Sequence, residues 1–397
     1  MKSKLQNWLF FRLCKHIRKG GLNITMPDGS AHQFTGKEKG PQAELVFLDK
    51  RAIGMILKHA QMGFCEAYMM GYVSSPDLVK VIELASVQQD VIEKGAGFSF
   101  ARKVLLKWQH WRNRNNRTGS RRNISYHYDL GNRFYASWLD QSMTYSSAYY
   151  GDETNDLYVA QQKKYARMAE LAGVTKDSHV LEVGCGWGGF AEHAAAEYGA
   201  RVTAITISQE QYDFARTRIK NAGLSHLVDI QLIDYRDVTG TYDSIVSIEM
   251  IEAVGELFWP SYFQTLSDRL KPNGKAAIQM ITMNDRDYDY YRSGPDFIQR
   301  YIFPGGMLPA MNPLQPIFDK TGLELISADG FGLDYARTLA VWRDRFWDAW
   351  DHIADMGFDD RFKRMWELYL MYCEGGFRSG YIDVKHVLLE RKETAEA

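Results

Sequence analysis

The residues that most constrain the fold of this chain are 181–190, which read Leu-Glu-Val-Gly-Cys-Gly-Trp-Gly-Gly-Phe. The alternating apolar residues of His179–Val183 predict a buried strand, and the spacing and alanines of 190–198 predict a helix. Glycines in the turn between them, including Gly184 and Gly186, permit backbone angles and close approaches that a Cβ would prevent. A turn of this kind after a first parallel strand forms a cradle for a nucleotide. The formal pattern, G-x-G-x-x-G, would also fit a dinucleotide dehydrogenase.

The strands that follow distinguish between nucleotide ligands. A second predicted strand, 201–206, ends at Thr206, and no acidic residue stands there to hold the ribose of a dinucleotide. A third, 228–233, leads into Asp234 and Tyr235, which offer a carboxylate to an adenine amino group and a ring for stacking. A fourth, 244–249, precedes Glu252, at the mouth of the crevice where such folds bind ligands. The pattern therefore disfavours a nicotinamide dehydrogenase.

Seven segments resemble, in the same order, the cyclopropane-fatty-acyl-phospholipid synthase family of S-adenosylmethionine-dependent methyltransferases. They are 126–132, 143–149, 181–190, 248–255, 301–306, 335–339 and 377–383. Residues 63–68 and 75–78 also resemble the smaller amino-terminal domain of longer members. The resemblance implies a Rossmann-like α/β fold with a mainly parallel seven-stranded sheet, preceded by a smaller, mainly helical domain.

We therefore expect the following domain organisation. Residues 1–118 form the small helical domain, with a hairpin near 24–34, and residues 119–392 form the catalytic domain. Within the catalytic domain, 276–281 is the fifth strand, 284–316 is a lid over an acyl channel, and 336–375 is helical. The final strand, 381–390, is antiparallel in this fold, and 393–397 is a tail.

The resemblance also implies a cofactor site and a catalytic site. The residues that match cofactor-binding positions are Tyr145, Ser146, Gly184, Gly186, Thr206, Gln211, Asp234, Tyr235 and Ser247. In the family, a bound bicarbonate ion removes the last proton and is held by a cysteine, a glutamate, a histidine, a tyrosine and a backbone group. Glu252, Tyr335 and the backbone of Ile281 match three of these positions.

The other two positions depart from the family. Ser147 stands where the cysteine is expected, and Gln279 stands where the histidine is expected. Both side chains can form hydrogen bonds to an anion, but neither titrates near neutral pH. Two outcomes stay open: altered ligands hold the bicarbonate, or the reaction intermediate is resolved differently and gives a methyl or methylene branch instead of a ring.

Two basic and aromatic segments raise the question of a membrane partner. Residues 101–122 contain eight Lys or Arg and no acidic residue, and they are either a solvated linker or a strip that docks on anionic lipid. In residues 2–19, Leu5, Trp8, Leu9, Leu13 and Ile17 fall on one helical face, which either lies on a membrane surface or caps the small domain. Nucleic acid is disfavoured because no nucleic-acid motif is present.

Composition bounds the cellular setting. The four scattered cysteines suit a reducing cytoplasm, and there is no apolar run of about 18 residues that would span a membrane. We expect a cytoplasmic protein associated peripherally with the inner face of the cell membrane, with a homodimer as a further candidate assembly. The predicted function is methyl transfer from S-adenosylmethionine to double bonds of phospholipid acyl chains. The alternatives are a free or carrier-linked acyl chain, a small soluble acceptor, or a non-catalytic lipid-binding relative.

Overall fold

The computed structural model describes residues 2–88, 130–151 and 154–392, so Tyr126 and the basic segment 101–122 lie outside the described residues. The chain divides into two compact units. The first comprises Met1–Gln109, Tyr290–Ile302 and Leu339–Tyr381, and the second comprises His110–Asp289, Phe303–Thr338 and Ile382–Ala397. Three separate segments of the chain therefore form the first unit. The sequence had predicted a small domain made of the single segment 1–118.

The first unit contains a four-stranded sheet and several helices. Its strands are β1 (Lys19–Thr25), β2 (Ala31–Thr35), β3 (Glu38–Phe47) and β4 (Val73–Ser74), in the order β2-β1-β3-β4. Its helices are Lys2–Cys14, Arg51–Met69, Leu78–Val87, Trp350–Ala354 and Asp360–Arg378, with a π-helical turn at Ile298–Ile302. The expected hairpin is present as the antiparallel pair β1–β2, but it belongs to a larger sheet.

Helix packing explains why 339–381 belongs to the first unit and not to the predicted catalytic domain. Helix Asp360–Arg378 buries one face against Leu78–Val87 and also contacts Arg51–Met69. The approach is close enough that a Cβ on Gly375 would lie 2.7 Å from Cβ of Ile82. Amphipathic spacing indicates that such a helix has a buried face, but it does not identify which element covers that face.

The second unit is built on a seven-stranded sheet. Its strands are β5 (His179–Val183), β6 (Arg201–Thr206), β7 (Val228–Leu232), β8 (Tyr242–Ile248), β9 (Leu270–Met283), β10 (Leu323–Gly330) and β11 (Ile382–Arg391). The spatial order is β10-β11-β9-β8-β5-β6-β7. The pairs from β9 to β7 are parallel, and β11 is antiparallel to both β9 and β10. The mainly parallel sheet and its antiparallel final strand were both predicted.

Helices connect and cover these strands. They are Asn132–Ala136, Leu157–Leu171, Gly189–Tyr198, Gln209–Asn221, Trp259–Arg269, Tyr288–Tyr291 and Met311–Lys320, with Gly332–Asp348 continuing into the first unit. The small alanines of Gly189–Tyr198 pack with Val180, Val202 and Met168 in a buried apolar core. This core fixes the ends of β5 and β6 relative to one another, and so fixes the position of the glycine turn.

Two further features bear on the expectations from composition. All four cysteines are free, and three of them are buried. Among the described residues, no helix combines the length and the apolar character that crossing a bilayer requires.

Candidate active site

The glycine turn lies at the carboxyl end of β5, as predicted. Gly184 and Gly186 have φ angles of +83° and +51°, which favour glycine. A Cβ on Gly184 would lie 2.7 Å from Cγ of Met250, whereas a Cβ on Gly186 would meet no atom within 4 Å. The backbone N–H groups of Gly184 and Cys185 donate to the Ile205 carbonyl at 3.1 and 2.9 Å, which ties the turn to β6. The turn therefore frames open space above Gly186.

Two predicted cofactor residues meet at the end of β6. The Thr206 hydroxyl donates to Oε1 of Gln211 at 2.8 Å and accepts from the backbone N–H of Ser208 at 3.1 Å. All three side chains are buried. The structure thus brings Thr206 and Gln211 together at the edge of the sheet that carries the glycine turn.

The residues after β7 have a partner that the sequence did not indicate. The Asp234 carboxylate accepts from Nε and Nη2 of Arg236 at 2.7 and 2.6 Å, and the carboxylate is buried. Tyr235 packs edge-on against Tyr262, with ring centroids 5.4 Å apart. Asp234 is therefore one half of an ion pair, and an adenine contact by its carboxylate stays a prediction.

Ser247, Tyr145 and Ser146 are held by contacts within the protein. The buried Ser247 hydroxyl donates to the Val183 carbonyl at 3.0 Å and accepts from Tyr262 at 2.9 Å, so it braces β8 against β5. The Tyr145 ring packs on Tyr135 and Trp138.

Ser146 contacts a buried lysine, Lys164, that the sequence analysis did not identify as a site residue. The Ser146 hydroxyl accepts from Nζ of Lys164 at 2.7 Å, and Lys164 is fully buried on helix Leu157–Leu171. Burial lowers the pKa of Lys164 to about 7, and the nearby carboxylates of Glu249, Asp140 and Glu182 oppose that shift. Lys164 falls on the face of this helix that the spacing of its apolar residues predicts to be buried. That position is the sequence signal that could have identified Lys164.

A second residue missed from the sequence, Glu249, lies at the centre of the catalytic positions. Its Oε1 accepts from the backbone N–H of Ser147 at 2.8 Å and from Nε2 of Gln279 at 2.7 Å. Its Oε2 accepts from the Tyr335 hydroxyl at 2.7 Å. Three of the five predicted anion ligands therefore hold the carboxylate of a protein side chain. The position of Glu249 directly after β8 was the available signal.

Ser147 acts through its backbone, which explains why a serine can stand at this position. Its hydroxyl donates to the Ala148 carbonyl at 2.9 Å, while its N–H donates to Glu249. The hydrogen bond to the carboxylate therefore does not depend on the side chain at position 147.

The remaining predicted ligands, Glu252 and Ile281, contact one another. The Ile281 N–H donates to Oε1 of Glu252 at 2.6 Å, and the Glu252 carbonyl accepts from the Met307 N–H at 2.8 Å. Oε2 of Glu252 is buried and has no hydrogen-bond partner among the described residues. Met307 lies in the segment predicted to be a lid, and its role as a lid stays a prediction.

A chain of hydrogen bonds fixes the orientation of Gln279. Nε of Arg167 donates to Nδ1 of His386 at 2.9 Å, and Nε2 of His386 lies 2.9 Å from Oε1 of Gln279. Because a guanidinium only donates, Nδ1 must accept, and the neutral imidazole carries its proton on Nε2. Burial and the charge of Arg167 lower the pKa of His386 to about 3, which keeps the ring neutral. The Gln279 amide therefore presents its NH₂ group to Glu249.

Hydrogen bonds and nearby charges distinguish the two buried carboxyl groups, Glu249 and Glu252. Burial raises the pKa of Glu249, while hydrogen bonds from Tyr335, Ser147 and Gln279 and the Lys164 charge oppose that shift. Burial, and then the Glu249 charge, raise the pKa of Glu252 to about 8. Glu249 has three donors and Glu252 has one, so a negative charge is stabilised better on Glu249 than on Glu252.

These residues do not fit the bicarbonate ion that the family resemblance implies. Its expected donors on Ser147, Gln279 and Tyr335 already bind the Glu249 carboxylate. A second anion at this place would lie against a carboxylate of the same sign, which is unfavourable in a buried site.

Comparison with known proteins identifies the family. Residues 115–387 match the family described as mycolic acid cyclopropane synthetase. The chain is 41% identical to tuberculostearic acid methyltransferase UfaA1 of Mycobacterium tuberculosis, over 98% of this chain and 91% of that protein. It is 39% identical to cyclopropane-fatty-acyl-phospholipid synthase of Escherichia coli K12, over 67% of this chain and 66% of that protein.

Solved structures agree with this assignment. A mycolic acid cyclopropane synthase, CmaA1, in complex with SAH and CTAB superimposes with a TM-score of 0.64 at 26% identity, over 68% of this chain and 98% of that chain. The predictions of the fold, of the enzyme class and of S-adenosylmethionine as cofactor are confirmed. The chain belongs to the mycolic acid cyclopropane synthetase family of S-adenosylmethionine-dependent methyltransferases.

Proposed function

We propose that this methyltransferase adds a methyl group from S-adenosylmethionine to the carbon–carbon double bond of unsaturated acyl chains in membrane phospholipids. The product is a cyclopropane or a methyl- or methylene-branched chain. The observation that carries the proposal is the pair of buried carboxyl groups, Glu249 and Glu252, just after β8, the strand that pairs with β5.

The chemistry of an alkene acceptor determines what the active site must provide. When bound, S-adenosylmethionine supplies an electrophilic methyl group on a positively charged sulfur. An alkene is a weak nucleophile without a proton to remove beforehand, so its attack on the methyl leaves a carbocation on the acyl chain. The site must align methyl and alkene, exclude water and stabilise positive charge. The Glu249 carboxylate and the Tyr335 ring supply negative charge and a π face for that cation.

The cofactor is expected to lie along the carboxyl edge of β5–β8. Gly184 and Gly186 allow its close approach, and Thr206 and Gln211 form one wall of the cradle. Tyr235 offers a ring face for the adenine, and Tyr145 and Ser146 border the other end of the site. Ser247 positions β8 and β5 relative to one another.

Helix Lys2–Cys14 of the first unit supports a membrane substrate. Its apolar stripe is exposed rather than packed in the core, with Leu5, Trp8, Leu9 and Leu13 exposed by 59%, 54%, 40% and 58%. The opposite face is anchored by the buried Phe10 and Cys14. The Arg12 guanidinium lies 5.4 Å from the Trp8 ring, and the helix contains no acidic residue. An exposed basic and aromatic stripe of this kind suits peripheral binding to the anionic inner face of a cell membrane.

The test is to incubate the purified protein with vesicles of unsaturated phospholipid and methyl-labelled S-adenosylmethionine. We expect label in the acyl chains, and none when the vesicles contain only saturated chains. The same assay with free unsaturated fatty acid distinguishes the alternative of a soluble acyl substrate. Absence of label from the acyl chains of the unsaturated phospholipid would refute the proposed function.

A further inference from the structure

We infer that the carboxylate of Glu249 takes the place of bicarbonate in this enzyme and is the base that removes a proton from the transferred methyl group. The inference deepens the proposed function and rests on it for the identity of the acyl substrate. It makes the base a permanent part of the polypeptide, so turnover needs no dissolved bicarbonate.

The donors around Glu249 are those that an oxyanion requires. Bicarbonate and a carboxylate both present an O–C–O group, and here one oxygen accepts two N–H groups while the other accepts a phenolic O–H. Ser147 and Gln279 stand where the family has a cysteine and a histidine, whose side chains titrate. Neither the Ser147 hydroxyl nor the Gln279 amide can act as a base near neutral pH. Glu249 restores a titratable group at the same place.

The backbone conformation of Glu249 supports a functional role for its side chain. Its φ angle is +50°, in the left-handed region that favours glycine and is uncommon for a glutamate. Its N–H donates to the Gln279 carbonyl at 2.8 Å, so β9 holds the residue in this conformation. Strained residues of this kind concentrate at functional sites, where the surrounding contacts maintain them.

The proton-transfer step balances with the groups present. As the methyl group moves, its bond to sulfur breaks, the sulfonium becomes a neutral thioether, and the alkene π electrons form the new carbon–carbon bond. A Glu249 oxygen then accepts a proton from the transferred methyl, and the released C–H electron pair forms a second carbon–carbon bond to the cationic carbon, which closes a cyclopropane ring. Glu249 becomes a neutral acid and returns its proton to water after product release. Glu252, already protonated, does not compete for that proton.

The inference is tested with two variants of the full-length protein. Glu249→Gly opens a space beside the three donors and relieves the backbone at the φ of +50°. Glu249→Gln keeps the volume of the side chain but cannot accept the proton. In buffer free of bicarbonate we expect wild-type turnover to be unchanged and both variants to lose turnover by ~10²–10⁴-fold, with S-adenosylmethionine affinity retained. Added formate or bicarbonate should restore turnover in Glu249→Gly and not in Glu249→Gln.

A binding measurement separates failure of this inference from failure of the proposed function. Carbon-13 NMR of labelled formate and bicarbonate should show specific binding to Glu249→Gly, and none to wild type or Glu249→Gln. Wild-type protein that binds bicarbonate, or that needs it for turnover, would overturn the inference. So would a Glu249→Gly variant that stays fully active without added anion. If the labelled anions bind only to Glu249→Gly but wild type transfers no label to acyl chains, the proposed substrate is refuted and the replacement of bicarbonate is still supported.

Discussion

A single methyl group added to the glycine turn tests where the cofactor binds. In Gly186→Ala, the new Cβ meets no protein atom within 4 Å, so the added volume lies in the open space above the turn. Gly223→Ala is a matched control, because Gly223 also has a positive φ of +72°, also has no atom within 4 Å of a Cβ, and follows helix Gln209–Asn221 away from the turn. Each alanine in the left-handed region costs about 1–2 kcal/mol of folding stability.

The two variants should therefore match in stability and differ in ligand binding. Urea denaturation should show a similar loss in the free energy of unfolding for both. Isothermal titration calorimetry should show that S-adenosylmethionine binds Gly186→Ala at least tenfold more weakly than wild type, a loss of about 1.4 kcal/mol, while Gly223→Ala binds normally. Equal affinities in the two variants would refute the placement of the cofactor above Gly186.

Three further predictions concern the membrane helix, the second carboxyl group and the orientation of Gln279. Trp8→Glu should weaken partitioning to anionic vesicles more than tenfold, about 2 kcal/mol, whereas the control Leu333→Glu, at a leucine that is also exposed, should bind normally in vesicle co-sedimentation. The pKa of Glu252 is raised to about 8 in the folded protein, so the folded state keeps a proton that the unfolded state loses above about pH 4.5. The stability of the wild type therefore falls as the pH rises from about 4.5 to 8. Urea denaturation should show that Glu252→Gln gains stability relative to wild type over that pH range. His386→Ala removes the donor to Gln279 and should lower turnover about tenfold, about 1.4 kcal/mol, without changing cofactor affinity; unchanged turnover would show that this hydrogen bond does not orient the amide.

Sequence patterns predicted the local features of the catalytic sheet well. The glycine turn, the parallel strands β5, β6 and β8 and the antiparallel strand β11 have strong apolar patterns, because these strands are mostly buried on both faces. The edge strand β10 was missed because only part of it is buried, so its apolar pattern is weak. β9 extends well beyond the predicted 276–281, since its first residues include Pro272 and Gly274, which do not read as strand.

Features that depend on tertiary contacts could not be predicted. Nothing in the spacing of Asp360–Arg378 shows that it packs on Leu78–Val87, a helix that lies more than 270 residues earlier in the sequence. The ion pair of Asp234 with Arg236 depends on a tight turn after β7. The role of Glu249 could not be predicted because it depends on hydrogen-bond donors from three separate segments of the chain, which only the fold brings together.

The most direct test of the account follows the fate of the hydrogens on the transferred methyl group. Wild-type protein is incubated with unsaturated phospholipid vesicles and S-adenosylmethionine that carries a trideuterated methyl, in buffer free of bicarbonate, and the released acyl chains are analysed by mass spectrometry. The account predicts acyl chains with one added carbon that retains two of the three deuterium atoms, because Glu249 removes the third. Unmodified acyl chains would contradict the proposed function, and an added carbon that retains all three deuterium atoms would contradict proton removal by Glu249.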